Sequence, residues 1–318
     1  MAGRVSRRAI LLVGGRGTRL APLTNNTPKP MLQVAGIPFT QHQIQKAQGA
    51  GITEIVLATS FKADLFEPYF GDGSNFGISI KYAVEEVPLG TGGAIRNAAQ
   101  MLTGDGNVAI FNGDVLSQHD LDAQFNFHGE KGADVTLYLT KVADARAFGA
   151  VELDETGRVL AFNEKMENPP TNIINAGCYI FNRKVIDEIP FAQVVSVERE
   201  TFPQLLRSSA KVFGFIDTSY WLDIGTPAAL LKASRDLVIA SGVDFMALEN
   251  SEIDAGAQIL GGSVIGRGAK IEAGAWIDNS IIGDGSVVGP RARISNSFIA
   301  PGFSVPGDVI AEGNYFGF

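Results

Sequence analysis

Over the first 130 residues, short apolar runs alternate with stretches in which apolar side chains recur at helical spacing. The runs Ala9–Val13, Glu54–Thr59, Ile78–Val84 and Asn107–Phe111 predict buried strands. Phe39–Ala50, Ala63–Tyr69, Gly93–Met101 and Leu121–Lys131 predict helices between or after them. Strand and helix in strict alternation predict βαβ units and a mainly parallel sheet, with ligands bound beyond the carboxyl ends of its strands. From residue 133 to 217 strands dominate: Asp134–Lys141, Ala150–Leu153, Arg158–Asn163, Ile174–Phe181 and Lys211–Ile216. Asp154-Glu155-Thr156-Gly157 reads as a hairpin turn between two of these. A helix over Pro227–Ala240 closes the region.

After Gly242 the period changes. Aliphatics recur every sixth position at Ile253, Ile259, Ile265, Ile271 and Ile277, then at Val288 and Ile294, with a slip near Ile281-Ile282. A six-residue period rich in glycine and alanine predicts a parallel β-helix, each turn burying its aliphatics against the next. The chain therefore divides, on its sequence, into an α/β region at 1–241 and a β-helix at 242–318. The aromatic end, Tyr315, Phe316 and Phe318, is a candidate cap or self-association surface.

Composition narrows the function classes. The 318 residues are 45% hydrophobic and 19% charged, an ordinary globular balance. The net charge is −8, with no basic stripe, which argues against nucleic acid as a partner. The single cysteine, Cys178, rules out an intrachain disulfide and sits in an apolar run as a small buried hydrophobe. His42, His119 and His128 all precede the hexapeptide region, which argues against a histidine-based acyl transfer on it. The basic N-terminus (Arg4, Arg7, Arg8) is followed by an apolar run too short for a signal peptide or membrane span, so a cytoplasmic protein is expected.

The candidate chemistry begins where the first strand ends. Residues 14 to 31 read GGRGTRLAPLTNNTPKPM. Gly14, Gly15 and Gly17 let a ligand approach main-chain N–H groups. Arg16 and Arg19 place charge beside them, and Pro28 and Pro30 stiffen the backbone around Lys29. Strand, glycine turn and fixed cations point to a polyphosphate site. The stretch matches neither the P-loop nor the dinucleotide fingerprint.

GGRGTRLAPLT…PKPM resembles the signature of the sugar-1-phosphate nucleotidylyltransferases, the nucleotide-sugar pyrophosphorylases. The resemblance continues, in the family's order, through Pro88-Leu89-Gly90-Thr91-Gly92-Gly93, Phe111-Asn112-Gly113-Asp114, Asn163-Glu164-Lys165, Asn175-Ala176-Gly177 and Trp221-Leu222-Asp223-Ile224-Gly225. The Val13-Gly14-Gly15 and Ser196-to-Pro203 wording is most similar to the mannose-1-phosphate guanylyltransferases. The resemblance implies a Rossmann-like nucleotide-diphospho-sugar transferase domain followed by a left-handed β-helix, and the open end of that helix after Ile310, which would otherwise need a cap, makes a homo-oligomer the expectation. It implies a reaction in which a sugar-1-phosphate displaces pyrophosphate from the α-phosphorus of a nucleoside triphosphate.

By the same resemblance, Leu12, Gly14, Gly15, Gly17 and Thr18, with Glu85, Pro88, Gly90 and Thr91, contact the nucleotide. Arg19 and Lys29 neutralise the phosphates. Asp114 and Asp223 hold Mg²⁺. Gly113, Gly149, Glu164, Lys165 and Asn175 receive the sugar phosphate. The family's Glu-Lys-Pro reads Glu164-Lys165-Met166 here, which leaves the shape of that loop in doubt. The residue types suit this chemistry, because two polyanions must be brought together in line and a phosphate monoester is already an anionic nucleophile near neutral pH.

Glu85 bears on the base. Relatives that use pyrimidine nucleotides usually carry glutamine at the comparable position. An ionised glutamate only accepts hydrogen bonds, which suits the adjacent N1–H and N2–H donors of guanine and favours GTP. Glu86 beside it leaves the assignment open between two carboxylates. Glucose-1-phosphate with dTTP or UTP is the enzymatic alternative. A non-catalytic nucleotide-sugar sensor is the alternative outside enzymes.

Overall fold

The computed structural model describes residues 7–15, 17–59, 63–208 and 210–318. Arg4 and Arg16 lie outside them. The described chain packs as two compact units. One comprises the residues up to Gly15 together with His42–Leu222; the other comprises the segment up to Gln41 that follows Gly15, together with Asp223–Phe318.

The first unit is built on a nine-stranded mixed sheet. The strand Arg7–Leu12 lies inside it, paired in parallel with Ile52–Thr59 on one side and Asn107–Asn112 on the other. Ser79–Val84 extends the first side, again in parallel. Beyond Asn107–Asn112 the pairing turns antiparallel with Ile173–Asn182. Gly149–Leu153 and Val159–Glu164 form the hairpin at that edge, turned at Asp154, whose carbonyl accepts from Gly157 N–H at 3.0 Å. Strands buried on both faces need continuous apolar sequence, and Ile10, Val56, Ile110, Tyr179 and Phe181 are fully buried in one cluster.

Helices Phe39–Gly49 and Leu121–Lys131 fall where the periodicity predicts them. Two elements differ. The helix predicted over Ala63–Tyr69 is a 3₁₀ turn, Ala63–Leu65, followed by a single turn, Glu67–Phe70. Pro68 has no N–H for a helix running through it and so sits in the first turn of a new one. The helix predicted from Gly93 begins at Gly90. Its glycines read as loop, but they sit in a helix that packs closely on neighbouring backbone.

In the second unit, the helix Pro227–Ala240 is capped by Thr226, whose hydroxyl accepts from Ala229 N–H. The segment before Gln41 packs on it: Ala35 N–H donates to Ser234 Oγ at 3.0 Å. From Phe245 onward, short strands stack in three parallel sheets, as in a left-handed parallel β-helix. The inward aliphatics Ile265, Ile271, Ile277, Ile282, Val288 and Ile294 are buried together. The slip at Ile281-Ile282 is regular: Ile265 pairs with Ile282 and Ile282 with Ile299. One corner in three is a residue short, so the coil there repeats every 17 residues. Ser280 and Ser297 sit in that corner, and Ser263 sits at the equivalent place one coil earlier, where the corner from Ile259 to Ile265 has its full six residues. The three hydroxyls each accept from the N–H 17 residues on, at Ser280, Ser297 and Asn314, which ties neighbouring coils together there. Tyr315 stacks on Phe298, its neighbour in the last strand pair. Among the described residues, no helix is long and apolar enough to cross a membrane.

Candidate active site

In the sheet unit, the strand order reverses between Arg7–Leu12 and Asn107–Asn112. Open α/β sheets bind ligands outside the strand ends at such a reversal. Leu12 pairs with Asn112 there, and the chain beyond each strand carries Gly14-Gly15 and Gly113-Asp114. Gly113 N–H donates to Leu12 O at 3.0 Å. A Cβ at Gly113 would lie 2.2 Å from that oxygen, so only glycine lets the two strand ends close together. At Gly15 the surroundings are open, with no described atom within 4 Å of an added Cβ.

Glu85 follows the strand Ser79–Val84, and its N–H is held by Thr59 O at 2.9 Å. One carboxylate oxygen, Oε2, accepts from Leu89 N–H at 3.2 Å. The other, Oε1, is buried and has no hydrogen-bond partner among the described residues. Burial raises the Glu85 carboxyl above the usual glutamate value, and the Leu89 bond offsets part of that rise. Glu86 is exposed. Of the two carboxylates left open by the sequence, Glu85 is thus the one with an unused, desolvated acceptor. Pro88 and Gly90 are exposed, and Gly90 and Thr91 have close protein neighbours. A Cβ at Gly90 would lie 2.6 Å from Val195 O, and one at Gly93 2.4 Å from Gln193 O. Thr91 Oγ1 donates to Glu198 at 2.8 Å and accepts from Val197 N–H.

On the opposite flank of Asn107–Asn112, Glu164 pairs with Gly149 in the edge hairpin. A Cβ at Gly149 would crowd the Phe162 ring at 2.7 Å and Glu164 Oε2 at 3.0 Å, so glycine leaves the carboxylate its place. Lys165 follows with φ 53°, its N–H on Phe148 O and its exposed ammonium 3.5 Å from Glu164. Asn175 sits where Ile173–Asn182 slips register against Val135–Lys141. Its amide donates to the Tyr179 hydroxyl at 2.8 Å, and its oxygen accepts from Gly177 N–H. Asn112 donates to the same hydroxyl at 3.4 Å. Tyr179 thus ties Asn175 to the strand that leads to Asp114. In sequence it reads only as a core aromatic. Burial and the Glu198 charge push its hydroxyl well up, so it stays protonated.

The second unit holds the other predicted cations. Thr18, Arg19 and Leu20 form a 3₁₀ turn with Leu20 buried beneath it. Gly17, at φ 64°, lies against Lys29, where a Cβ would meet the lysine's own Cβ at 2.8 Å. Lys29 is only 8% exposed. Gly225 is a second close approach: a Cβ there would lie 2.6 Å from Asp223 Oδ1 and 3.1 Å from both terminal nitrogens of Arg19. Arg19 and Asp223, 204 residues apart in sequence, therefore share one small space over the Gly225 backbone.

Among the described residues, no cluster of three or more His, Cys, Asp or Glu could hold a metal ion alone. Mg²⁺ does not require such a cluster: it is usually held by one or two carboxylates plus substrate phosphates and water rather than by a protein cage. Cys178 is buried, with its thiol pushed up to about 12 by desolvation, and belongs to the packing.

Comparison with known proteins agrees with this geometry. Residues 8–238 match the nucleotidyl transferase family model. A mannose-1-phosphate guanylyltransferase of Mycobacterium tuberculosis is 49% identical over 282 residues, covering 86% of this chain and 78% of that one. A D-glycero-alpha-D-manno-heptose 1-phosphate guanylyltransferase of Aneurinibacillus thermoaerophilus is 38% identical, covering 72% of this chain and 97% of that one. The crystal structure of HddC from Yersinia pseudotuberculosis complexed with GMP-PN is 29% identical, with a TM-score of 0.62 over 73% of this chain and 100% of that one. Strand order, glycine approaches and relatives converge: the chain belongs to the nucleotidyl transferase family.

Proposed function

We propose that this protein is a mannose-1-phosphate guanylyltransferase, converting GTP and mannose-1-phosphate to GDP-mannose and pyrophosphate. The observation that carries the choice of nucleotide is Glu85, with one carboxylate oxygen engaged by Leu89 and the other buried without a partner among the described residues. An unused buried acceptor is costly unless a ligand satisfies it. Guanine supplies two adjacent N–H donors, whereas a pyrimidine dione presents one N–H flanked by repelling carbonyls. The 49% identical guanylyltransferase supports the same reading.

In the proposed reaction a phosphate oxygen of mannose-1-phosphate attacks the α-phosphorus of GTP. The new P–O bond forms as the bond from the α-phosphorus to the α–β bridging oxygen breaks, and the electron pair leaves on pyrophosphate. The nucleophile is an anion near neutral pH, so no general base is required. The protein's work is positioning and charge neutralisation. Lys165 and Glu164 receive the sugar phosphate and sugar hydroxyls, with Gly149 and Asn175 lining that pocket. Arg19 and Lys29 meet the triphosphate and the departing pyrophosphate. Leu12, Gly14, Gly15, Gly17 and Thr18, with Pro88, Gly90 and Thr91, surround the nucleotide, and Gly113 the reacting phosphates. Asp114 and Asp223 are the carboxylates assigned to Mg²⁺, which when bound would neutralise phosphate oxygens. Residues 1–241 carry the chemistry in this reading, and 242–318 serve packing or assembly.

The test is pyrophosphate release with Mg²⁺ from a crossed panel. The sugars are mannose-1-phosphate, glucose-1-phosphate and the manno-heptose 1-phosphate, and the nucleotides are GTP, dTTP, UTP, ATP and CTP. Turnover concentrated on GTP with mannose-1-phosphate is the expected result. Preference for another pair would replace the specificity while keeping the chemistry. No turnover with any pair by folded protein would leave a nucleotide-sugar sensor.

A further inference from the structure

The helix Phe39–Gly49 carries polar residues at Gln41, His42, Gln43, Gln45 and Lys46. Gln43 is nevertheless only 5% exposed. Its amide nitrogen donates to Asn112 O at 2.8 Å and to Val115 O at 3.2 Å. These two carbonyls flank Gly113-Asp114. Both partners are acceptors, so the group facing them must be the NH₂ end of the amide, and both its protons are used. The amide oxygen is left buried without a hydrogen-bond partner among the described residues. An apolar residue would fill the same space but take this donor from both carbonyls, so plain packing does not account for a glutamine here.

One turn further along the same face, the Lys46 ammonium donates to Ser117 O at 2.9 Å and Ser117 Oγ at 3.1 Å, and lies 2.8 Å from His119 Nδ1. Between these anchors, Gly113 N–H is fixed by Leu12 O. One helix face and one strand end therefore hold the backbone on both sides of Asp114.

We propose that Gln43 is a positioning residue for Asp114, bridging the two carbonyls that flank it so that the carboxylate is aimed before metal and nucleotide arrive. Lys46 is the second anchor of the same loop. This rests on the assignment of Asp114 to the metal. Carboxylates that hold a metal must keep their geometry, and displacing an orienting partner typically costs metal affinity or activity about 10- to 100-fold.

The test is Gln43→Met, close in volume and lacking both donors, beside Asp114→Asn and the unaltered protein. Metal binding is read by electron paramagnetic resonance of free Mn²⁺ titrated against protein plus GDP-mannose, and turnover by steady-state kinetics with Mg²⁺. Gln43→Met should weaken Mn²⁺ binding at least tenfold and lower kcat by a similar factor. The KM for mannose-1-phosphate should move less than threefold, because Glu164, Lys165 and Asn175 are untouched. Wild-type Mn²⁺ binding and kcat in Gln43→Met, with only a lowered melting temperature, would overturn the proposal if Asp114→Asn loses Mn²⁺. Wild-type Mn²⁺ binding in Asp114→Asn would instead remove the metal assignment itself. Should Gln43→Met not fold, Lys46→Met reads the second anchor, with Lys46→Arg expected to restore Mn²⁺ binding. Failure of Lys46→Met to change Mn²⁺ binding would then overturn the proposal.

Discussion

The chain has two glycine-rich stretches that look alike in sequence, Gly14-Gly15-Arg16-Gly17 after the first strand and Gly90-Thr91-Gly92-Gly93, which forms the first turn of a helix. Their surroundings differ. Gly15 has open space where a side chain would be, at the end of a central strand beside the strand-order reversal. Gly93 and Gly90 are pressed on the backbone of Gln193 and Val195, and Gly92 N–H donates to Val195 O at 2.8 Å. The first turn is open at Gly15. The second uses missing side chains to bring a helix start onto neighbouring chain. Sterics demand glycine at Gly90 and Gly93 but not at Gly15, and only packing tells them apart.

That contrast can be broken by substitution, and the largest effect should come from the cation that follows the open turn. Arg19→Ala should lower kcat about 100- to 1000-fold, the scale for removing one preorganised charge donor, with little change in melting temperature. Single-turnover kinetics would show it, and near-normal chemistry would remove Arg19 from the reacting phosphates. Gly93→Ala comes next, and its effect should fall on stability. With a Cβ 2.4 Å from Gln193 O, it should lose about 3 kcal/mol, read from the urea midpoint at unchanged slope.

Glu85→Gln should reduce kcat/KM for GTP about 10- to 100-fold, the range for stranding or losing a buried hydrogen bond. Equal GTP efficiency in the variant would sink the base assignment. The same group supplies a pH signature. Burial raises the Glu85 carboxyl, so its ionised form is present above that raised value and lost as pH falls through it. The KM for GTP should therefore climb on acidification at a higher pH than an exposed glutamate would give. The Glu85→Gln protein should lack that limb. The smallest effect is expected at Gly15→Ala: stability within about 0.5 kcal/mol of the parent and nucleotide affinity down by about 1 kcal/mol, roughly fivefold. Loss of stability there would show that the turn is packed after all.

Much of this was legible because burial on both faces leaves a continuous apolar run. The strands at Ile52–Thr59 and Ile173–Asn182 announce themselves that way. The β-helix was legible from its six-residue period. Its 17-residue coil shows in the sequence only as the slip at Ile281-Ile282, and the bonds from Ser263, Ser280 and Ser297 that tie its coils at that corner leave no apolar signal. Glu85 and Glu86 are equivalent as letters, and burial alone separates them. Gln43 was illegible for a different reason. A glutamine amid polar helix residues carries no sign that it faces a loop nearly 70 residues away. Arg19 and Asp223 were each legible by resemblance, but their meeting over Gly225 is a property of the fold.

The most direct test of the central claim follows the phosphorus atoms. Phosphorus-31 NMR of GTP and mannose-1-phosphate with Mg²⁺ and purified protein should show the sugar-phosphate signal replaced by the paired diphosphate signals of GDP-mannose, with pyrophosphate appearing in equal amount. Orthophosphate in place of pyrophosphate, or an unchanged spectrum from folded protein, would contradict guanylyl transfer at the α-phosphorus.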